Sequence, residues 1–133
     1  MKQGAKANLT GATFEKLVAK ILTENSIEYE AQVKYTNLYG SNRCKIDFVV
    51  DEVYIECKFQ NVSGSVDEKL PFCLLNLEQF EKGMVILGGD HWYTQRGEHI
   101  RQCCEQGALS QYKSEVILFE DFVKRIVTTG KII

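Results

Sequence analysis

Two short apolar segments, separated by only two polar residues, constrain the fold of this chain more than any other feature. The segments are CKIDFVV (44–50) and VYIECKFQ (53–60), and both are rich in the β-branched and aromatic residues that are typical of strands. The two residues between them, Asp51 and Glu52, predict a tight antiparallel hairpin. A two-residue turn also fixes the register, so the sequence predicts which side chains face each other.

This register places two like-charged pairs side by side on one face of the hairpin. We expect Asp47 directly opposite Glu56, and Lys45 directly opposite Lys58. Opposed like charges destabilise a sheet when nothing lies between them. A single E-x-K strand is usually a solvated polar face, but two such pairs favour a divalent cation between the carboxylates and an anion over the lysines.

A first helix is expected to bring a third carboxylate to the hairpin. Over residues 10–24, apolar residues recur at helical spacing, namely Phe14, Leu17, Val18, Ile21 and Leu22. Glu15 lies at the edge of this apolar face on a helical wheel, rather than opposite to it. Taken alone, Glu15 would be a boundary residue of an amphipathic helix, but from this position its side chain can lean towards the sheet.

The rest of the chain has the pattern of an α/β protein. Further strands are expected over 27–35, 83–89 and 115–119, and further helices over 67–80, 96–106 and 120–127. With the hairpin and the first helix, the order is α-β-β-β-α-β-α-β-α, which predicts helices packed around a mixed central sheet. No repeat, linker or low-complexity segment interrupts the sequence, so we expect one domain over residues 1–133.

Composition excludes several classes of protein. The net charge of −2 and the pI near 5.7 are not those of a protein that coats nucleic acid non-specifically. No apolar run approaches the roughly 20 residues of a membrane span, and the N-terminus lacks the apolar segment of a signal peptide. None of the five cysteines forms a C-x-x-C pair, so neither a zinc ribbon nor a disulfide framework is indicated. We therefore expect a cytoplasmic protein with no membrane partner.

Three segments together resemble the PD-(D/E)XK nuclease superfamily, the fold of many restriction enzymes, phage nucleases and archaeal Holliday junction resolvases. They are GATFE (11–15), KIDFVV (45–50) and YIECKFQ (54–60). The resemblance covers about residues 10–90, and it implies a restriction endonuclease-like α-β-β-β-α-β core in a small phage or bacterial nuclease. The sequence departs from the family pattern at Ile46, which stands where the family has a proline.

The resemblance also implies which residues carry the chemistry. The family takes an acidic residue from the first helix, an Asp from the second strand, E-x-K from the third strand and often a polar residue two positions later. These positions correspond to Glu15, Asp47, Glu56, Lys58 and Gln60. Mg²⁺, or Mn²⁺ in its place, would be bound by Asp47, Glu56 and the main-chain carbonyl of Cys57, with Glu15 acting through a water. Lys58 would orient the attacking water or stabilise charge on the phosphate, and Gln60 would hold Lys58 or a phosphate.

Four other residues are candidate contacts to DNA: Arg43, Lys45, Ser65 and Lys69. Arg43 ends a polar loop with two tyrosines, a composition that suits a DNA backbone or groove but also any hairpin loop. Ser65 precedes a helix whose N-terminus can accept a phosphate, although Ser65 and Glu68 also form a capping box. Lys69, one turn into that helix, faces either the site or the solvent.

The sequence therefore predicts a Mg²⁺-dependent DNA endonuclease that hydrolyses phosphodiester bonds. Because one chain carries one site, cutting both strands of a duplex needs a dimer or two separate cleavage events, and we expect a homodimer or a higher oligomer. Two alternatives stay open, namely a Holliday junction resolvase and a nuclease-fold DNA-binding or assembly subunit that has lost catalysis. The segment LYGSNRCKID (38–47) matches the resolvase pattern only in part, and the intact Asp, Glu and Lys argue against lost catalysis.

Overall fold

The computed structural model describes residues 10–62 and 66–133, which form a mixed five-stranded sheet with helices on both faces. The helices are α1 (Gly11–Glu24), α2 (Val66–Leu77), α3 (Gln95–Gln106) and α4 (Phe119–Thr129). The strands are β1 (Glu30–Tyr35), β2 (Cys44–Val50), β3 (Val53–Phe59), β4 (Lys82–Gly88) and β5 (Glu115–Leu118). The predicted element order and the predicted restriction endonuclease-like α/β fold class are confirmed.

The strands lie in the sheet in the order in which they occur along the chain. β1, β2 and β3 are antiparallel neighbours, whereas β3, β4 and β5 are parallel. Parallel neighbours need crossover connections, which contain α2 between β3 and β4 and α3 between β4 and β5. β4 lies inside the sheet under both helix layers, which explains why its residues Met84–Gly88 are all buried.

Two apolar clusters hold the helices on the sheet. On one face, α1 and α4 pack against the strands through Phe14, Val18, Leu22, Phe122 and Ile126. On the other face, the buried contacts of α2 are Leu70, Cys73, Leu74 and Leu77, with Trp92 beside them. β3 directs Cys57 and Phe59 to the first cluster, while Glu56 and Lys58 line a cavity beside α2. The predicted alternation of apolar and polar side chains along β3 is confirmed.

The hairpin between β2 and β3 has the predicted two-residue turn. Asp51 and Glu52 both have positive φ angles, of 49° and 68°, which is the geometry of a type I′ turn. Val50 pairs with Val53, and Phe48 pairs with Ile55. The register next to the turn is therefore the predicted one.

β2 changes face at Asp47, and this irregularity was not predicted. Ile46 packs in the cluster under α2, whereas Phe48 packs in the cluster under α1, although residues two apart normally share a face. The ladder with β3 stops at the Phe48 pair, and the ladder with β1 omits Asp47 and its neighbour Gln32. Gln32 has a φ angle of 53°, so both strands depart from regular geometry at this point.

The predicted pairing of Lys45 with Lys58 is wrong. The β2–β3 ladder contains only the pairs from Phe48 to Val50, so Lys45 has no partner in it, and on the other side of β2 Lys45 pairs with Lys34 of β1. Element ends also differ slightly from the prediction. β1 begins at Glu30, and α2 ends at Leu77, after which Phe80 stacks on the Tyr54 ring at a centroid distance of 3.9 Å.

The helices of the described residues are all too short or too polar to cross a lipid bilayer.

Candidate active site

Asp47 and Glu56 meet where the β2–β3 ladder stops. The main-chain N–H of Asp47 donates to Oε1 of Glu56 at 3.2 Å. The main-chain N–H of Cys57 donates to Oδ2 of Asp47 at 2.8 Å. The two carboxylates thus take hydrogen bonds that a regular ladder would give to main-chain carbonyls, and the predicted closeness of the two side chains is present without the predicted direct pairing.

Glu15 reaches the same place from α1. Its Oε1 accepts a hydrogen bond from Nε2 of Gln32 at 2.9 Å, and its carboxyl group lies close enough to that of Asp47 for the two charges to repel each other. The structure therefore brings together the predicted acidic residues of α1, β2 and β3.

Crowding and burial make these three carboxyl groups reluctant to ionise. Burial raises the pKa of Glu56 to about 7, and the charge of Asp47 adds to the increase. Burial is also the main reason that the pKa values of Asp47 and Glu15 are raised. Lys58 lowers all three pKa values, but one ammonium group does not balance three carboxylates. The site therefore has a deficit of positive charge.

Lys58 lies two residues after Glu56 and on the same face of β3. Its Nζ is 3.8 Å from Oε2 of Glu56, and a quarter of its side chain is exposed. Glu56, Lys58 and Lys69 together line a cavity of about 300 Å³ between β3 and α2, which we call the β3–α2 cavity. The ammonium group can therefore reach both the carboxylate and a ligand that enters from solvent.

Hydrogen bonds hold the main chains of Cys57 and Gln60 in place, and the Cys57 thiol lies in the apolar cluster under α1. The Cys57 thiol packs towards α1, and burial raises its pKa well above the ordinary value, so the thiol is not suited to metal binding. The N–H and C=O of one strand residue point to the same side, so the Cys57 carbonyl faces the gap that holds Asp47. Gln60 is fixed through its main chain, which bonds to Gly88 and His91.

The four predicted DNA contacts are placed unequally. Lys69 is exposed on α2 and lines the β3–α2 cavity with Lys58. Arg43 and Lys45 are exposed at the end of the β1–β2 loop and the start of β2. Ser65, with its proposed phosphate contact and its capping box, lies outside the described residues.

Two residues of β1 belong to the site and were missed from the sequence. Gln32 holds Glu15, and Tyr35 lines the β3–α2 cavity. Burial raises the pKa of Tyr35 to about 12, with Glu56 as the next cause. The spacing of Val33 and Tyr35 would have placed Tyr35 on the face towards α2, but nothing in the sequence indicates the positive φ angle of Gln32.

The oxygen donors at this site fit a hard divalent cation. Among the described residues, no three His, Cys, Asp or Glu side chains are already arranged around a common metal position. Mg²⁺ does not require such a set, because it binds through one or two carboxylates together with waters and substrate phosphates. Asp47 and Glu56 supply two neighbouring carboxylates, and a cation would supply the positive charge that the site lacks.

Comparison with known proteins identifies the family of this chain. Residues 6–129 match the family described as the PD-(D/E)XK nuclease superfamily domain. Among curated proteins, no sequence matches the chain significantly. The crystal structure of AF1548, a protein of unknown function, aligns with a TM-score of 0.47 and 18% identity, over 80% of this chain and 56% of that chain. Through the match over residues 6–129, this chain belongs to the PD-(D/E)XK nuclease superfamily.

Proposed function

We propose that this protein is a Mg²⁺-dependent DNA endonuclease that hydrolyses phosphodiester bonds, with Mn²⁺ as a substitute cation. The observation that carries the proposal is the contact between Asp47 and Glu56, with the Lys58 ammonium group 3.8 Å from Glu56. Membership of a nuclease superfamily supports the reaction class. Two neighbouring carboxylates and one cationic donor are the groups that phosphodiester hydrolysis with a divalent cation requires, and Glu56 and Lys58 of this set line a cavity.

The side chains of the site divide the work. Asp47 and Glu56 would hold the cation together with the Cys57 carbonyl, and the cation would polarise the scissile phosphate and acidify the attacking water. Lys58, beside Glu56, stabilises the negative charge that develops on the phosphate and helps to orient the water. A bound cation would also favour the ionised carboxylates, because a nearby positive charge lowers their raised pKa values.

Glu15 and Gln60 act at the edges of this arrangement. Glu15 is held by Gln32, so it can accept a hydrogen bond from a water of the cation without leaving its position on α1. Gln60 follows Lys58 by two residues, and its fixed main chain would let its amide hold Lys58 or a substrate phosphate. Lys69 adds positive charge on the opposite wall of the β3–α2 cavity, where it would bind a neighbouring phosphate.

Nicking of supercoiled plasmid tests the proposal. We expect nicked and linear products with Mg²⁺ or Mn²⁺, and no products with EDTA. Ca²⁺ should support binding without turnover, because its looser coordination activates water poorly. Glu56→Gln is the matched control, since it removes one carboxylate at almost constant shape. Full activity in EDTA, or an equally active Glu56→Gln protein, would contradict the proposal.

The assembly and the setting are part of the same proposal. A homodimer would supply two sites for cleavage of both strands, and light scattering measures this directly. The five cysteines are free thiols, which suits a reducing cytoplasm. Cleavage of a four-way junction, compared with that of a linear duplex, separates the endonuclease from a junction resolvase.

A further inference from the structure

The most exposed aromatic ring among the described residues lies beside the β3–α2 cavity. Tyr39, at the tip of the β1–β2 loop, is 81% exposed. Its ring stacks on that of Phe72, with a centroid distance of 5.5 Å and an interplanar angle of 15°. Phe72 lies on α2, and it lines the same cavity as Glu56 and Lys58. We call this pair of rings the aromatic platform.

The loop that carries Tyr39 is stabilised by hydrogen bonds although its tip is exposed. Oδ1 of Asn37 accepts hydrogen bonds from the N–H groups of Tyr39 and Ser41 at 2.9 and 3.0 Å. The N–H of Leu38 donates to Oδ1 of Asn76 on α2 at 3.2 Å, which ties the loop to the helix. An ordered loop that presents a large ring to solvent loses little entropy when the ring binds a ligand.

We propose that the aromatic platform binds an unpaired nucleobase of the DNA strand that is cleaved, an inference that rests on the proposed nuclease function. The offset Phe72 ring covers part of one face of the Tyr39 ring, and the high exposure of Tyr39 leaves the other face open. A base inside a duplex already has both faces covered by its neighbours. Only an unpaired or terminal base can therefore offer a free face to this ring.

The surrounding charges favour a nucleotide over an apolar partner. Lys69 precedes Phe72 by one helical turn and is exposed on the wall of the same cavity. Arg43, at the end of the Tyr39 loop, is also exposed. A base stacked on Tyr39 would thus have cations available for its flanking phosphates, in the combination that proteins use to bind single strands. The preferred substrates are then single strands, flaps, bulges and frayed ends.

Binding measurements in Ca²⁺, which should prevent turnover, test the platform apart from catalysis. The probe is a short single strand that contains the fluorescent base 2-aminopurine, and the comparison is the same sequence in a fully paired duplex. We expect Tyr39→Ala to weaken single-strand binding by about 5- to 150-fold, the range for loss of one base–aromatic stack, and to change duplex binding little. Tyr39→Phe keeps the ring and should bind normally. Val127→Ala, at an exposed apolar position on α4, is the control for surface substitution.

The fluorescence identifies the contact itself. Wild type and Tyr39→Phe should quench 2-aminopurine, whereas Tyr39→Ala should not. The proposal is overturned if Tyr39→Ala quenches and binds like wild type, or if it lowers single-strand and duplex binding equally. It is also overturned if the substitution changes only the oligomeric state seen by light scattering, since Tyr39 would then belong to a contact between copies of the chain.

A parallel cleavage assay in Mg²⁺ separates this proposal from the nuclease assignment. Cleavage of paired and unpaired DNA at equal rates, unaffected by Tyr39→Ala, would retain the nuclease and remove the platform. Tyr39-dependent quenching without cleavage under any metal would retain the platform and remove the nuclease.

Discussion

The carboxylate of Glu56 accepts a hydrogen bond from the main-chain N–H of Asp47, at the point where β2 leaves the β3 ladder. In return, the main-chain N–H of Cys57, the residue after Glu56, donates a hydrogen bond to the Asp47 carboxylate. Each side chain thus replaces a main-chain acceptor that the irregular strand has withdrawn. The interruption of the β2–β3 ladder therefore also brings the two carboxylates close together. The candidate site is thus built by the sheet itself.

Lys58 is predicted to act on the rate of cleavage and hardly at all on binding. Lys58→Ala should lower single-turnover cleavage by about a hundredfold or more, the scale for loss of one charge-stabilising donor. DNA affinity should change little, because Lys69 on α2 still supplies positive charge to the cavity. Lys82→Ala, at the exposed start of β4, is the matched loss of a lysine and should be fully active. An active Lys58→Ala protein would mean that E-x-K is only a polar strand face.

The raised pKa of Glu56 predicts how the stability of the metal-free protein depends on pH. The folded protein holds this proton up to about pH 7, whereas the unfolded chain releases it near the ordinary value of 4.5. The folded state therefore binds more protons between these values, and its free energy of unfolding falls as the pH rises. Glu56→Gln should remove the contribution of Glu56 to this dependence, while the raised pKa values of Asp47 and Glu15 leave a remainder. The variant should therefore be the more stable protein at about pH 8, by a free energy on the order of 2 kcal/mol.

Urea denaturation in EDTA at several pH values measures this difference. Parallel stability curves for wild type and Glu56→Gln would show that Glu56 does not titrate as the geometry implies. Adding Mg²⁺ to the wild type at high pH should recover the lost stability, since cation binding favours the ionised carboxylate.

Much of the fold could be predicted because the signals were local. The two-residue connection at Asp51 and Glu52 specifies a type I′ hairpin, and alternation along β3 places Glu56 and Lys58 together. The apolar stripe of α1 placed Glu15 near the sheet. Each of these inferences uses residues within a few positions of one another, where chain geometry leaves few choices.

The inner arrangement of the site could not be predicted because it depends on contacts between distant residues. The switch of face at Asp47 is stabilised by the Cys57 N–H, and the unusual backbone of Gln32 accompanies its contact with Glu15, seventeen positions away. A regular β2–β3 ladder extrapolated through this region wrongly paired Lys45 with Lys58. Likewise, Tyr39 in the β1–β2 loop stacks on Phe72 of α2, and the whole β2–β3 hairpin separates these two residues along the chain.

Gln32 allows its backbone and side-chain effects to be separated. Its φ angle of 53° is in the left-handed region, which costs an L-residue about 1–2 kcal/mol. Gln32→Gly and Gln32→Ala both remove the hydrogen bond to Glu15, but only glycine relieves the strain. The glycine variant should therefore be more stable than the alanine variant, by about 1 kcal/mol in urea denaturation. Equal stability of the two variants would show that the backbone of β1 at Gln32 is not strained.

Asp47 is predicted to be a metal ligand first and a structural acceptor second, and two substitutions distinguish these roles. Asp47→Asn keeps an oxygen that can accept the Cys57 N–H, and it removes one of the crowded charges. In EDTA this variant should be as stable as wild type or more stable by up to about 1 kcal/mol. Asp47→Ala leaves the Cys57 N–H without its partner and should lose about 1–3 kcal/mol.

Cation binding and catalysis complete this test of Asp47. Added Mg²⁺ should raise the melting temperature of wild type by mass action, and it should raise that of Asp47→Asn much less, because a neutral amide is a weak ligand for a hard cation. Cleavage should be lost in both variants. If Asp47→Asn strongly destabilises the metal-free protein, its charge is needed for folding rather than for the cation. If Asp47→Asn still cleaves DNA, the nuclease site does not lie between β2 and β3.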